Sequence, residues 1–369
     1  MIELIEGNSH EFFGVPFRIY PKESPYVSPL KDDLVRSLDS RQNPLFLNHG
    51  EGSFFTVRRK GIPVGRISAH IHTASNERHG KTQCYFGFFD CADDPEAAKM
   101  LLDTAETFGR KRGMTEIIGN FNLTAMQMMG VVTDGFEHAP YTDQVYNPPH
   151  IPKLLEANGY ERTFPATTFE VDITSLDPET LIPEDAHARL KEAGLEWRQL
   201  QKKGFKQLMR DTCDVLNAGF HANPMFVPLS HEEFLFQAQD MMWIIDPRIS
   251  SIVYKDDQPV AVTVCIPDLN PLLKRTRSRL GLTTPWHYMR HRMNRKRAIV
   301  IFSSVVPELH GQGVAPSMLY RMIRSLKEAG YEKMGITWVG DVNKASLRVV
   351  EKTGGTPLHR VHLFRKDLA

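Results

Sequence analysis

Residues Ile299–Ser325 read IVIFSSVVPELHGQGVAPSMLYRMIRS, and this stretch decides the fold of the chain. The apolar run Ala298–Val306 is rich in β-branched residues and predicts a buried strand. Pro307 ends the run because proline has no N–H to donate to a neighbouring strand. A helix is predicted to follow, with Pro316 in its first turn, an apolar stripe on one face and Gly330 as its stop.

Two glycines, Gly311 and Gly313, lie between the predicted strand and the predicted helix. Glycine adopts positive φ without strain and lets a ligand approach the backbone closely. The first amides of a helix have no internal acceptor, and the helix dipole favours negative charge there. The pattern therefore indicates a site for a phosphate or diphosphate. The alternative is an ordinary strand–helix turn that needs its glycines only for geometry.

The spacing excludes two common phosphate-binding loops. Pro316 occupies the third glycine position of a GxGxxG motif, and no Gly-Lys-Ser/Thr follows as a P-loop would require. The sequence from Glu308 to Ala315, ELHGQGVA, closely resembles the acyl-CoA loop of the GNAT acetyltransferase superfamily. In that family the pattern is Gln or Arg, two residues, Gly, one residue, then Gly or Ala. Glu308 at the first position departs from it.

A second match lies downstream, after a strand predicted at Met334–Val339. GNAT proteins commonly carry an asparagine, a small residue three positions on, and a helix that closes in glycine at eleven. Asn343, Ser346 and Gly354 have this spacing. The resemblance implies that Asn343 contacts the CoA arm, while a plain helix N-cap is a reading that can hold at the same time. The two motifs, in the right order, cover roughly the last third of the chain.

The resemblance also implies which residues bind the acyl-CoA substrate, whether acetyl-CoA or a longer acyl-CoA. Two valines would line the pantetheine arm, and the loop would hold the diphosphate. The implied set is Val305, Val306, Leu309, His310, Gly311, Gln312, Gly313, Val314, Ala315, Asn343 and Ser346. Transfer in this family is direct: the acceptor amine attacks the thioester carbonyl while both are held in register.

The catalytic residues are less clearly marked by the sequence. Many family members place a tyrosine acid seven residues after the asparagine, and here that position is Val350, so the usual acid is absent. Two carboxylates are candidates for the base: Glu308, beside the loop, and Asp268, at the end of a hairpin strand. The alternatives are a surface carboxylate for Glu308 and a turn cap for Asp268.

The same order of elements, hairpin, strand, helix and strand, is predicted in both halves of the chain. We therefore predict an α/β fold with a mixed sheet and two GNAT-like domains in tandem, residues 1–174 and 175–369. A loop-rich segment, residues 1–50, is expected to wrap the first domain. Where the second half has its glycine loop, the first has Asp90–Glu96, which is acidic and lacks glycine. Such a loop would repel a diphosphate, so the first domain is predicted to be degenerate.

A basic insert, residues 269–297, interrupts the second half. No acidic residue lies between Asp268 and Glu308, while nine residues there are lysine or arginine. The insert is either a solvated basic loop or a contact for CoA phosphates, an acyl carrier protein, an anionic lipid surface or RNA. His287 and His291 have a spacing that can bind metal, but no third ligand is near in sequence and no metal is expected.

Composition bounds the remaining possibilities. Lys+Arg 45 against Asp+Glu 44 leaves no global field to attract nucleic acid, so no stable nucleic-acid partner is expected. Four cysteines without CxxC spacing predict buried or free thiols, and without a signal peptide or membrane span a cytoplasmic location is expected. The predicted function is acyl-CoA-dependent N-acyltransfer to an unidentified small-molecule or peptide amine. The alternatives are a Fem-like peptidyltransferase that uses aminoacyl-tRNA, and a non-catalytic CoA-binding module.

Overall fold

Two compact units make up the chain. The computed structural model describes residues 1–124, 126, 128–182, 190, 193–221, 223, 225–239 and 244–368. By their internal contacts, unit 1 comprises Met1–Thr167, Asn270–His291 and Leu358–Ala369, and unit 2 comprises Thr168–Leu269 and Arg292–Pro357.

Unit 1 begins with a strand and four short helices before its main hairpin. Its elements are β1 (Ile2–Glu6), α1 (Ser9–Gly14), α2 (Pro16–Ile19), α3 (Lys31–Leu38), α4 (Pro44–Asn48), β2 (Gly50–Arg59), β3 (Ile62–His72), α5 (Thr73–His79), β4 (Gln83–Cys91), α6 (Pro95–Arg110), β5 (Glu116–Gly119), β6 (Val131–Asp134), α7 (His150–Ala157) and the first part of β7 (Glu161–Asp172). The segment 1–50 is therefore not mainly loop, although the sequence predicts a loop-rich segment there. β1 pairs with β2, and Phe12, Phe13 and Leu34 are buried, so these residues are part of the unit.

Unit 2 takes the rest of β7 from Thr168 and then follows the order that the sequence predicts. Its elements are β8 (Leu195–Gln199), α8 (Phe205–Gly219), α9 (His231–Ala238), β9 (Ser251–Lys255), β10 (Gln258–Pro267), β11 (Arg297–Val305), α12 (Val314–Glu328), β12 (Lys333–Gly340) and α13 (Lys344–Lys352). The basic insert adds α10 (Asn270–Thr276) and α11 (Thr284–Asn294) before β11. The final strand is β13 (Thr356–Asp367). Residues 240–243, which follow α9 closely, lie outside the described part of the chain.

The strands of the two units follow the same order. In unit 1 the order is β1-β2-β3-β4-β5-β13, and in unit 2 it is β8-β9-β10-β11-β12-β7. The first four strands of each unit pair antiparallel. A parallel pair follows in each unit, β4 with β5 and β11 with β12. A helix, α6 or α12, connects the two strands of each parallel pair, as a parallel connection requires. The predicted mixed-sheet fold with two GNAT-like halves is confirmed.

Packing assigns two segments to unit 1 that lie far from it in sequence. The part of β13 from Leu358 onward belongs to unit 1, where it pairs antiparallel with β6 and then, from Phe364 opposite Gly119, with β5. The insert residues Asn270–His291 also belong to unit 1 by their contacts. The linear boundary between 174 and 175 therefore stays a prediction about sequence domains. Each compact unit includes residues from both sides of that boundary.

The core of unit 2 holds α12 against the start of β11. Met322, Ile323 and Leu326 of the helix are buried with Ala298 and Val300 of the strand. The predicted apolar stripe of this helix is confirmed. All four cysteines are free and buried, also as predicted.

Candidate functional site

The loop between β11 and α12 has the backbone that the sequence predicts. A short 3₁₀ turn, Pro307–Leu309, ends the strand. Gly311 and Gly313 follow with φ of 76° and 83°, in the left-handed region that favours glycine. Among the described residues other than its chain neighbours, no atom lies within 4 Å of a Cβ placed on either glycine, so open space adjoins the loop at both positions.

Two side chains hold the loop by bonding its carbonyl groups. His310 Nε2 lies 3.0 Å from the carbonyl oxygen of Val305, and Gln312 Nε2 donates to the carbonyl oxygen of Glu308 at 2.8 Å. Beneath the loop, Leu309 and Val305 are buried in one apolar cluster. The predicted binding residues His310 and Gln312 thus keep the loop in shape through their side chains.

Four amides of the loop and of the helix start have no such partners among the described residues. The first amide to bond within α12 is that of Ser317, which donates to the carbonyl oxygen of Gly313 at 3.2 Å. Among the described residues, no acceptor is found for the amides of Gly311, Gly313, Val314 or Ala315. Gly313 is the N-cap residue of α12 and has no side chain to cap the helix. Unbonded amides at a helix N-terminus attract an anion.

The parallel strands beside this loop separate as they approach it. The register of β11 with β12 joins Arg297–Val300 to Lys333–Ile336. Each strand continues past the last pair, to Val305 and to Gly340. A narrow opening therefore begins in mid-sheet and runs toward the loop.

Exposure along both strands marks the same opening. Ser303 is exposed and Phe302 half-buried on β11, and Thr337 and Trp338 are half-buried on β12. Interior strands usually have buried residues at such positions. The antiparallel register of β10 with β11 skips Ile301, which forms a β-bulge. Sequence reasoning missed these lining residues because a bulge and a separation of strands leave no local signal.

Asn343 lies at the same edge of the sheet as the glycine loop, because both follow parallel strands. Its Oδ1 accepts a hydrogen bond from the amide of Ser346 at 3.1 Å, so it is the N-cap of α13. The capping role is therefore present. Asn343 is also exposed at this edge, and its contact with CoA stays a prediction.

Val350, at the position where a tyrosine acid is common, belongs to the core. It is 5% exposed and packs with Phe169 and Val339. An apolar side chain in this place can neither donate nor accept a proton.

The two carboxylate candidates lie at opposite ends of β11. Glu308 is exposed within the 3₁₀ turn beside the glycine loop. Asp268 is 1% exposed at the other end, where its Oδ2 lies 3.3 Å from Nε of Arg297 and its amide donates to the Arg297 carbonyl at 2.9 Å. Eight residues separate Arg297 from Val305, which corresponds to about 26 Å along a strand. The structure therefore does not bring the two candidates together.

Unit 1 fills the corresponding helix terminus with its own carboxylates. Asp94 caps α6 by accepting from the amide of Ala97 at 3.1 Å. The guanidinium of Arg59 bonds both oxygens of Asp94, at 2.6 and 2.8 Å, and reaches Glu96 at 2.9 Å. The hydrogen bond from Arg59 is the main reason why the pKa of Asp94 lies below its usual value. This terminus is already neutralised, which agrees with a degenerate first half.

Neither a metal cluster nor a membrane-crossing helix is found in the part of the chain that the structure describes. No three His, Cys, Asp or Glu side chains there lie close enough to hold a metal ion. Among the helices in the same residues, none is both long and apolar enough to cross a bilayer.

Comparisons with known proteins agree with this geometry. Residues 217–355 match the family model described as Acetyltransferase (GNAT) family. A protein named bacterial ceramide synthase, from Caulobacter vibrioides (strain NA1000 / CB15N), is 26% identical over 368 residues, which cover 97% of this chain and 94% of that protein. Protein YghO of Escherichia coli (strain K12) is 23% identical, covering 97% and 92%.

Solved structures show the same fold. A tandem GNAT protein from the clavulanic acid biosynthesis pathway superposes with a TM-score of 0.61 at 14% identity and covers 100% of this chain and 99% of its own. A GCN5-related N-acetyltransferase from Sphaerobacter thermophilus has a TM-score of 0.55 at 12% identity, covering 100% and 96%. GNAT proteins generally use acyl-CoA as substrate. Residues 217–355 therefore match a GNAT domain, and over its full length the chain has the fold of tandem GNAT proteins.

Proposed function

We propose that the chain transfers an acyl group from acyl-CoA to an amine and forms an amide. One observation carries this proposal: four amides, at Gly311 and Gly313–Ala315, have no acceptor among the described residues, and open space adjoins the two glycines. A diphosphate supplies oxygens for all four and charge for the helix dipole. The opening between β11 and β12 leads away from that position and suits an extended pantetheine arm.

The reaction needs only positioning and one proton acceptor. The amine nitrogen attacks the thioester carbonyl carbon, a C–N bond forms, and the C–S bond breaks as CoA leaves as a thiolate. The amine proton passes to a base, directly or through water. Backbone amides of β11, which borders the opening, polarise the carbonyl oxygen as charge develops on it.

Glu308 is the better placed of the two candidate bases. It is exposed to solvent in the turn that begins the glycine loop, so in this proposal it accepts the amine proton through water. Asp268 is buried at the far end of β11 and bonded to Arg297, which suits a structural role. Because Val350 cannot act as an acid, the thiolate takes its proton from water in this proposal.

The proposed substrates are a long-chain acyl-CoA and a lipid-like amine. The support is the relative named bacterial ceramide synthase, since a ceramide is the amide of a long-chain amine. Its alignment spans 97% of this chain, including the first half.

The test combines binding with turnover. Thermal unfolding of the purified full chain is followed with CoA, acetyl-CoA and long-chain acyl-CoAs, because a ligand that binds the native state must raise the melting temperature. Release of CoA thiol is then measured for each acyl-CoA with short and long-chain amines. The expected result is a shift with every CoA species and turnover with a long-chain pair. A shift without turnover for any pair would indicate a non-catalytic CoA-binding module, and no shift at all would overturn the proposal.

A further inference from the structure

An exposed apolar cluster lies in the second part of the basic insert. Large apolar side chains that are exposed number eleven among the described residues, and five of them fall within residues 280–293. Their exposed fractions are 61% for Leu280, 102% for Leu282, 61% for Trp286, 52% for Met289 and 74% for Met293. Scattered exposed apolar residues are ordinary, but a cluster of this kind marks an interaction surface.

The helix α11 presents its apolar side to solvent. Trp286, Met289 and Met293 are spaced i, i+3 and i+7 and therefore share one face, and no residue of α11 is buried. On the opposite face, His287 and Tyr288 are half-buried. A helix on a globular protein normally has the reverse arrangement, with the apolar stripe toward the core.

Positive charge borders this stripe on both sides. Arg290 and Arg292 fall on either side of the Trp286–Met289–Met293 face at helical spacing, and both are exposed. No acidic residue interrupts the sequence from residue 269 to residue 307. An apolar stripe between cationic flanks is the arrangement of helices that lie in the interface of an anionic bilayer.

The base of the insert is anchored in unit 1. Ser278 Oγ donates to the carbonyl oxygen of Ser28 at 2.6 Å, and the amide of Lys31 donates to the carbonyl oxygen of Ser278 at 2.9 Å. Leu272 of α10 is 8% exposed. The first part of the insert is thus held by hydrogen bonds and by burial, and the exposed apolar residues follow it in the sequence. A solvated basic loop would have neither the fixed first part nor the exposed apolar residues.

We infer that residues 280–293 dock the protein on an anionic membrane surface. The helix α11 lies in the plane of the interface, with Trp286, Met289 and Met293 at the boundary between headgroups and acyl chains. Arg290 and Arg292 pair with lipid phosphates. An acidic carrier protein would satisfy the arginines, but it has no comparable apolar medium for Leu282 and Trp286. This inference does not depend on acyl transfer, because docking is measured without substrate.

The experiment is co-sedimentation of the full chain with phosphatidylcholine vesicles that contain or lack phosphatidylglycerol, at low and high salt. Two variants test the surface: Trp286→Ser/Met289→Ser/Met293→Ser removes the apolar stripe, and Arg290→Glu/Arg292→Glu reverses its charged flanks. A matched control, Leu47→Ser/Ile62→Ser, removes exposed apolar side chains of 56% and 57% exposure elsewhere. The melting temperature of each variant shows whether it folds.

The expected result is salt-sensitive binding to the anionic vesicles, with a blue shift of tryptophan emission that is lost with Trp286. Each basic residue near an anionic surface contributes about fivefold to partitioning, so the charge reversal should lower binding by at least about tenfold. The stripe variant should lose binding, and the control should retain it. Absence of vesicle binding, equal binding by folded stripe and control variants, or capture of an acyl carrier protein without vesicle binding would each overturn the inference.

Discussion

Gly313→Ala should weaken CoA binding without unfolding the protein, and a second glycine of the same helix supplies its control. Gly313 precedes α12 with φ of 83°, and Gly330 follows that helix with φ of 82°. Neither has an atom within 4 Å of an added Cβ. The two substitutions therefore impose the same backbone strain in equally open surroundings and differ only in which end of the helix they alter.

The two effects have different sizes. Alanine in the left-handed region costs about 1–2 kcal/mol, so both variants should melt a few degrees below the wild type. At Gly313 the new methyl group projects into the space beside the unbonded amides. If it displaces the diphosphate from one or two of them, each lost charge-assisted hydrogen bond costs roughly 1.5–3 kcal/mol. The dissociation constant for CoA should therefore rise at least about tenfold for Gly313→Ala and stay unchanged for Gly330→Ala.

Isothermal titration with CoA measures the affinities, and thermal unfolding measures the strain. The reasoning is refuted if the two variants bind CoA equally well, since the loop would then not be the diphosphate site. It is also refuted if Gly330→Ala alone loses CoA. Gly313→Ala and Gly330→Ala should lower the melting temperature by the same amount, because the backbone strain is the same at both positions.

Three further predictions follow from other parts of unit 2 and from the thiols. Glu308→Gln should lower turnover by about a hundredfold or more and leave the melting temperature unchanged. Asp268→Asn should lower the melting temperature and leave CoA affinity unchanged. If steady-state rates and thermal unfolding show the opposite pattern, Asp268 is the base and Glu308 is the structural residue. Although burial alone would raise the pKa of Asp246, the hydrogen bond from Arg248 and the charge of Arg295 outweigh it and lower that pKa. The ionised Asp246 therefore stabilises the fold above about pH 4, and this stabilisation is lost as pH falls through the folded-state pKa. Asp246→Asn should lower the free energy of unfolding by about 3–5 kcal/mol at neutral pH and make it less dependent on pH in the acid range. Urea unfolding at a series of pH values measures both effects. Burial raises the pKa of all four cysteine thiols, so a thiol reagent should label none in the native protein and four in denaturant; rapid native labelling would contradict their burial.

Residues close together in sequence accounted for most of the candidate site. The positive φ of Gly311 and Gly313, the end of the strand at Pro307 and the N-cap at Asn343 all follow from local sterics and local hydrogen bonding. The burial of Val350 and the apolar face of α12 follow from helical periodicity. Such features depend on a few neighbouring residues, and a single sequence contains them.

Features that join distant residues could not be predicted in this way. The distance in space between Asp268 and Glu308 depends on the length and direction of β11. Their positions in the sequence do not give that distance. The bulge at Ile301 and the opening beside it depend on where two registers stop. Register is set by pairing across the sheet, which no short segment specifies alone.

The sequence by itself therefore determined the mixed-sheet fold, the glycine loop, the capped helix and the acidic helix start of the first half, because local backbone preference and periodic burial decide each of them. Only the tertiary structure decided that residues 358–369 and residues 270–291 of the insert belong to unit 1, and that the apolar stripe of α11 faces solvent. A helical pattern shows that one face is apolar, but which way that face points depends on what packs against the other side.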